Sequence, residues 1–191
     1  MFDRNSSLFL LHPIVAAAVL ILLGVFLFSA FVSLKGSAGR KRFLKGDYRG
    51  AIRNANWMLG FYRKTDWLFR QYRYNIAMID HLYFMLAVSY FATGNDELFL
   101  QSIHARSRPD DTGKFWLALY SLRKHAPILA QEYVAETTGL GDKLLYKTFL
   151  EGMLADRAGD SELAKSKLQE IYRQLNLPIL KQIADETLKK A

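Results

Sequence analysis

Cysteine is absent from the 191 residues, which excludes disulfides, thiolate catalysis and cysteine-based metal sites and fits a reducing compartment. Strand signals are missing beyond residue 39, where no period-2 alternation of β-branched residues is bounded by turns. The sequence also lacks a glycine-rich phosphate loop, a His-Glu-x-x-His pair and a Gly-x-Ser-x-Gly elbow. The histidines, His12, His81, His104 and His125, lie far apart, none with a partner at metal-ligand spacing. Asp80 and His81 are adjacent, but helix neighbours point about 100° apart and make no dyad by themselves. Asp110-Asp111 after Pro109 reads as a turn and a helix cap. No catalytic, cofactor or metal residue is nominated, and an enzyme is disfavoured.

Charge is absent from residues 8–34, a run rich in Leu, Val, Ala and Phe. Roughly 20 apolar residues cross the ~30 Å hydrocarbon core, so this run is long enough to span it with some tilt. No later stretch is expected to qualify. A cleaved signal peptide would want an apolar core of about 7 to 15 residues, a basic start and a small-x-small site. The run is longer, its start is neutral (Asp3, Arg4) and Ser29-Ala30-Phe31 suits cleavage badly, so an anchor is the preferred reading. His12-Pro13 is expected to open the helix.

The positive charge is concentrated beside that run. Residues 35–75 hold eleven Lys or Arg against Asp47 and Asp66, whereas residues 76–191 hold fourteen basic and fifteen acidic residues. Lys and Arg flanking a span stay on the cytoplasmic side. The expectation is therefore N-terminus outside and body in the cytoplasm, at a bacterial inner membrane. Arg40, Lys41, Arg42, Arg49, Arg53, Arg63 and Lys64 are expected to meet anionic lipid headgroups, each gaining about 1 kcal/mol there. Nucleic acid is disfavoured as the partner, because the whole excess is juxtamembrane. Trp57, Trp67, Tyr62, Tyr72 and Tyr74, set among Arg63, Lys64, Arg70 and Arg73, suit an interfacial surface or packing between helices.

Beyond a short flexible link at residues 35–39, apolar residues recur at three- and four-residue spacing, punctuated by Gly46-Asp47, Gly94-Asn95 and Gly159-Asp160. In each case a helix can end on a glycine in the left-handed region and the next can be capped by the following polar residue. A fourth turn falls at His125-Ala126-Pro127. Ala87 and Gly152 stand seven residues before two of the turns, and Ala51 and Ala164 five after. This pattern resembles the tetratricopeptide repeat, a helix-turn-helix unit of about 34 residues. From His125 to Gly159 is 34 residues and from Gly94 to His125 is 31. From Gly46 to Gly94 is 48, so an insertion or an extra helix near residues 66–74 is expected there. Phe99 stands where the repeat usually has a small residue.

Together the apolar run and the resemblance give an all-α chain: tail 1–7, transmembrane helix 8–34, linker 35–39, tetratricopeptide-like repeat domain 40–177 and C-terminal capping helix 178–191. The resemblance also implies a concave groove lined by first helices of each pair. In register these positions are His81, Phe84, Val88, Phe91, Phe115, Leu119, Phe149 and Met153, suited to a peptide or an amphipathic helix. The same side chains could equally be core, or the C-terminal helix could fill the groove. The expected function is a single-pass membrane-anchored adaptor or scaffold that binds a partner protein, with no cofactor. The alternative is a small structural or assembly subunit of a multi-protein membrane complex, since Ala16-Ala17-Ala18 and Gly24 allow close helix approach.

Overall fold

The computed structural model describes residues 4–69, 73–107, 110–138 and 141–190, and every regular element among them is helical. In chain order these are α1 (Arg4–Leu44), α2 (Tyr48–Phe69), α3 (Arg73–Thr93), α4 (Asp96–His104), α5 (Asp111–Arg123), α6 (Ile128–Glu136), α7 (Asp142–Ala158), α8 (Ser161–Ile171) and α9 (Pro178–Leu188), with one 3₁₀ turn at Tyr172–Gln174.

α1 is a single helix of 41 residues, about 61 Å at 1.5 Å per residue. Two expectations change along it. Pro13 lies inside the helix rather than in its first turn. Residues 35–39 are helical, not a flexible link. Their glycines serve close packing on α2: Gly39 is buried, and a Cβ there would stand 3.1 Å from Asn54 Cβ. Between Val15 and Leu44, α1 is long and apolar enough to cross a membrane, a measure that a signal sequence near an N-terminus also meets. Its apolar window has no buried residue, and Leu20, Leu22 and Phe26 face outward. α3 also passes this measure over Ile76–Thr93, contrary to the expectation of one qualifying stretch. It is a helix of the body, with Leu82, Met85, Leu86, Ala87 and Val88 in the core.

Four turns join successive helices in the same way. The residues at their centres, Gly46, Gly94, His125 and Gly159, all have positive φ, between 60° and 82°. Each donates its N–H to the carbonyl three residues back (Phe43, Phe91, Leu122, Asp156) at 3.0–3.2 Å. The next N–H reaches the carbonyl five back (Arg42, Tyr90, Ser121, Ala155) at 2.9 Å in all four. That pair of bonds satisfies helix-end carbonyls that would otherwise lack partners. Asn95 and Asp160 then cap α4 and α8 through Leu98 N and Leu163 N.

A second bond repeats between hairpins. Arg123 and Arg157 each stand two residues before a turn centre. Arg123 donates to the carbonyl of Phe91 at 2.7 Å and Arg157 to that of Leu122 at 3.1 Å, each three residues before the preceding turn centre. These staples hold neighbouring hairpins in one register. The spacing of 48 between the first two turns is taken up by length, since α2 has 22 residues and α3 has 21. No separate helix stands near residues 66–74: α2 runs to Phe69, α3 starts at Arg73, and residues 70–72 lie outside the described residues.

The main core runs from Phe43 through Val88, Phe115 and Phe149 to α9. A smaller cluster of Ala55, Met58, Leu59, Leu82 and Leu86 lies between α2 and α3, with Val32 of α1 against it. α9 packs on α8 and also returns to the first turn, where Ile179 N donates to Tyr48 Oη at 2.9 Å. Near its other end, Thr187 Oγ1 donates to Met153 Sδ at 3.7 Å. Ile179, Leu180 and Ala184 thereby join the same core as Val88, Phe115 and Phe149.

Candidate functional site

The expected open groove is corrected by burial. Val88, Phe115 and Phe149 have no exposed surface, while Phe91 and Leu119 are 3 % exposed. Phe115 stacks on Tyr146 at 4.3 Å, and Phe91 meets Trp116 edge-on at 5.3 Å. Phe84 and Met153 are half-buried against this core. The space a concave face would offer is filled by aromatic packing between hairpins and by α9. Of the eight nominated residues, His81 alone is exposed.

The seven basic residues stand differently. Arg40, Lys41, Arg42, Arg49, Arg53, Arg63 and Lys64 are all exposed. Arg42 pairs with Asp47 at 3.9 Å and Arg63 donates to Tyr83 Oη at 2.9 Å. Arg40, Lys41, Arg49, Arg53 and Lys64 make no ion pair among the described residues. The side chains of Trp67, Arg70, Tyr72, Arg73 and Tyr74 lie outside the described residues.

Two clefts lie against α2 and α3, one closed by α1 and the other by α4. The larger, about 580 Å³, opens between α1, α2 and α3. α1 presents Val25, Phe28, Val32, Gly36 and Arg40 at helical spacing, interleaved with Ser29, Ser33 and Ser37. Met58 and Phe61 of α2 and Met78 and Met85 of α3 form the facing walls, with His81 beside Arg40's end. An aromatic belt borders it: Phe28 meets Phe61 at 5.3 Å and Phe31 meets Trp57 at 5.8 Å. Lys35 Nζ sits 5.8 Å from the Phe31 ring and 5.9 Å from that of Trp57.

His81 titrates below its ordinary range, first because its ring is partly desolvated, then because Arg40 and Arg106 place positive charge near it. It is therefore neutral at pH 7 and able to donate one hydrogen bond. Its neighbour Asp80 is occupied elsewhere, accepting from Ser107 N at 2.9 Å and Ser107 Oγ at 2.7 Å. Arg106 is held by Asp110, the α5 cap, through two bonds of 2.8 and 2.6 Å. Among the described residues, Arg40 is thus the uncompensated charge at this mouth.

The smaller cleft, about 310 Å³, lies between α2, α3 and α4. Its floor is Leu59, Leu86 and Leu98, and its rim carries Asn56, Arg63, Tyr83, Tyr90 and Gln101. Asn56 Nδ2 donates to Tyr90 Oη at 3.4 Å, and the Arg63 guanidinium stays exposed beside Tyr83. A mixed rim of this kind can pair with a backbone while the floor takes alternate apolar side chains.

Sequence reasoning missed both clefts. It named Arg40 for the membrane and His81 for the groove, and the fold brings them to one mouth. The one signal bearing on them was the interval of 48 between turns, which is taken up by the long helices α2 and α3 that line both clefts. No protein-family model matches the chain, and neither a curated protein nor a solved structure does. Among the described residues, no group of three His, Cys, Asp or Glu is placed to hold a metal ion.

Proposed function

We propose that this chain is a single-pass membrane-anchored adaptor, whose tetratricopeptide-like body holds a partner protein at the cytoplasmic face. The observation that carries the reading is α1. One unbroken helix bears the exposed apolar stretch and also supplies Phe43 to the core of the body. An anchor made this way sets the height and orientation of the body on the bilayer, which a flexible link would not. The basic residues beside the apolar stretch favour a cytoplasmic body. They also favour contact with anionic headgroups, within a Debye length of the surface.

The partner surface proposed is the α2–α3–α4 cleft, in place of the buried groove. Its exposed Arg63 favours an extended segment carrying an acidic side chain. The test places a photo-crosslinking residue at Gln101 in the membrane-bound full chain, with and without Arg63→Glu. Crosslinking of one discrete protein, lost in Arg63→Glu at unchanged melting temperature, supports the reading. Equal crosslinking from both chains removes this cleft from the proposal.

The second reading, a structural or assembly subunit of a membrane complex, is favoured by the bare surface of α1. A Cβ built on Gly24 would touch nothing within 4 Å, and Val19, Leu20 and Val25 are exposed around it. Such a face suits close packing of another span. Purification in mild detergent separates the two readings: a subunit keeps fixed stoichiometry with its neighbours and an adaptor does not.

A further inference from the structure

We infer that the α1–α2–α3 cleft is a binding site for a single anionic phospholipid, its phosphate on Arg40 and His81 and an acyl chain along the apolar stripe below them. The inference rests on the reading of α1 as the membrane anchor. Three observations converge on this occupant.

The first is polarity. Along α1 the lining changes from Val25, Phe28 and Val32, with Ser29 and Ser33 beside them, to Ser37 and Arg40, while three methionines, Phe61, Tyr62 and Leu82 close the opposite side. A cleft apolar at one end and cationic at the other is complementary to an amphiphile with an anionic head, and to neither a wholly apolar nor a wholly polar ligand. Methionine walls adapt to a flexible chain more readily than branched side chains do.

The second is charge. Arg40 has no carboxylate partner among the described residues, whereas the nearby Arg106 is paired with Asp110. The adjacent carboxylate of Asp80 is engaged by Ser107. An anion between Arg40 and His81 would accept one charge-assisted bond from the guanidinium and one bond from the imidazole.

The third is continuity. The lower end of the cleft opens beside Val25, in the apolar stretch itself, so a lipid can enter sideways from the bilayer. Trp57, a residue type enriched at membrane–water interfaces, lies alongside on Phe31.

The test uses the full chain in nanodiscs of phosphatidylcholine. They are doped with phosphatidylglycerol carrying a diazirine in its acyl chain, or with phosphatidylcholine carrying the same group. Adducts are mapped by mass spectrometry. The expected result is labelling at Met58, Met78 and Met85 by the anionic probe, with labelling at Leu20, Leu22 and Phe26 by both probes. Arg40→Gln, an exposed change that leaves the packing intact, should lower the methionine labelling about tenfold, the loss of one charge-assisted contact. Its labelling at Leu20 should not change. Ser33→Trp, which fills the cleft, should abolish labelling at the methionines. Equal labelling of the methionines by the two probes, or no effect of Arg40→Gln, overturns the lipid site and leaves the anchor standing. Absence of labelling at Leu20, Leu22 and Phe26 by either probe overturns the anchor reading and the lipid site with it.

Discussion

Single side chains decide much of this fold, and Gly152 shows how. It is buried in α7, where an added Cβ would stand 3.0 and 3.1 Å from the Cγ and Cδ2 of Leu168 on α8 and 3.3 Å from Lys167 Cβ. Leu168 is itself fully buried and has nowhere to move. Gly152→Leu should therefore cost about 1–3 kcal/mol or more and Gly152→Ala less, read by chemical denaturation. A Gly152→Leu protein as stable as the parent would mean that α7 and α8 do not meet this closely. Asp96 makes a prediction in pH. Hydrogen bonding from Lys124 first, helped by the charge of Arg123, holds its carboxyl below the usual carboxylate range. A depressed folded pKa contributes stability that is present above about pH 4 and lost as pH falls through the folded value. Asp96→Asn should accordingly weaken the protein at pH 7 by a modest amount, since the group is partly solvated, and the difference should vanish in acid. A difference equally large at pH 7 and about pH 3 would sink the assignment. At this scale the sequence was informative about backbone and blind to burial. The glycines and Asn95 announced their turns and caps, because few other residues fit there. The repeat register placed Val88, Phe91, Phe115 and Phe149 on corresponding faces of the first helices of successive pairs. It did not say whether those faces meet solvent or more protein, and here they meet α9 and neighbouring aromatics.

Helices and turns carry the next set of consequences. The turn at His125 has the same two backbone bonds as the three glycine turns, yet a residue with a Cβ occupies its left-handed centre at φ 60°. The imidazole Nδ1 lies 2.7 Å from an Arg157 Nη, which gives the histidine a reason to be there. His125→Gly loses that contact and relieves the backbone. His125→Val loses it too and adds strain of about 1–2 kcal/mol for a left-handed L-residue, more for a β-branched one. Denaturation midpoints should rank Gly above Val. Equal midpoints for the two variants would show that the turn does not demand positive φ. The element boundaries read from sequence failed in two places for identifiable reasons. Residues 35–39 contain two glycines and a serine, which suggests a linker, but Gly36 and Gly39 face α2 and let the helices approach. The interval of 48 between the first two turns suggested an inserted helix. Lengthening α2 and α3 absorbs the same residues more favourably, because helix propagation adds a bond for each residue fixed.

For the whole molecule, the arrangement of α1 against the body sets what can be tested. Residues 4–44 form one rod, the four equivalent turns lie along the body, and α9 ties the last hairpin back to the first. The sequence conveyed the all-helical class and the apolar stretch, since both depend on local composition. It did not convey the return of α9 to Tyr48, a contact across 131 residues that no local pattern encodes. The central claim is that α1 is a retained anchor with the body on the cytoplasmic side. The absence of native cysteine allows it to be tested cleanly, with a single Glu162→Cys substitution on the exposed face of α8. Intact cells are treated with a membrane-impermeant maleimide, and their membranes are washed in alkaline carbonate. The account predicts full-length protein that stays with the washed membranes and reacts only after the cells are permeabilised. Labelling of the Glu162→Cys variant in intact cells, or release of a shortened chain by the wash, would contradict it.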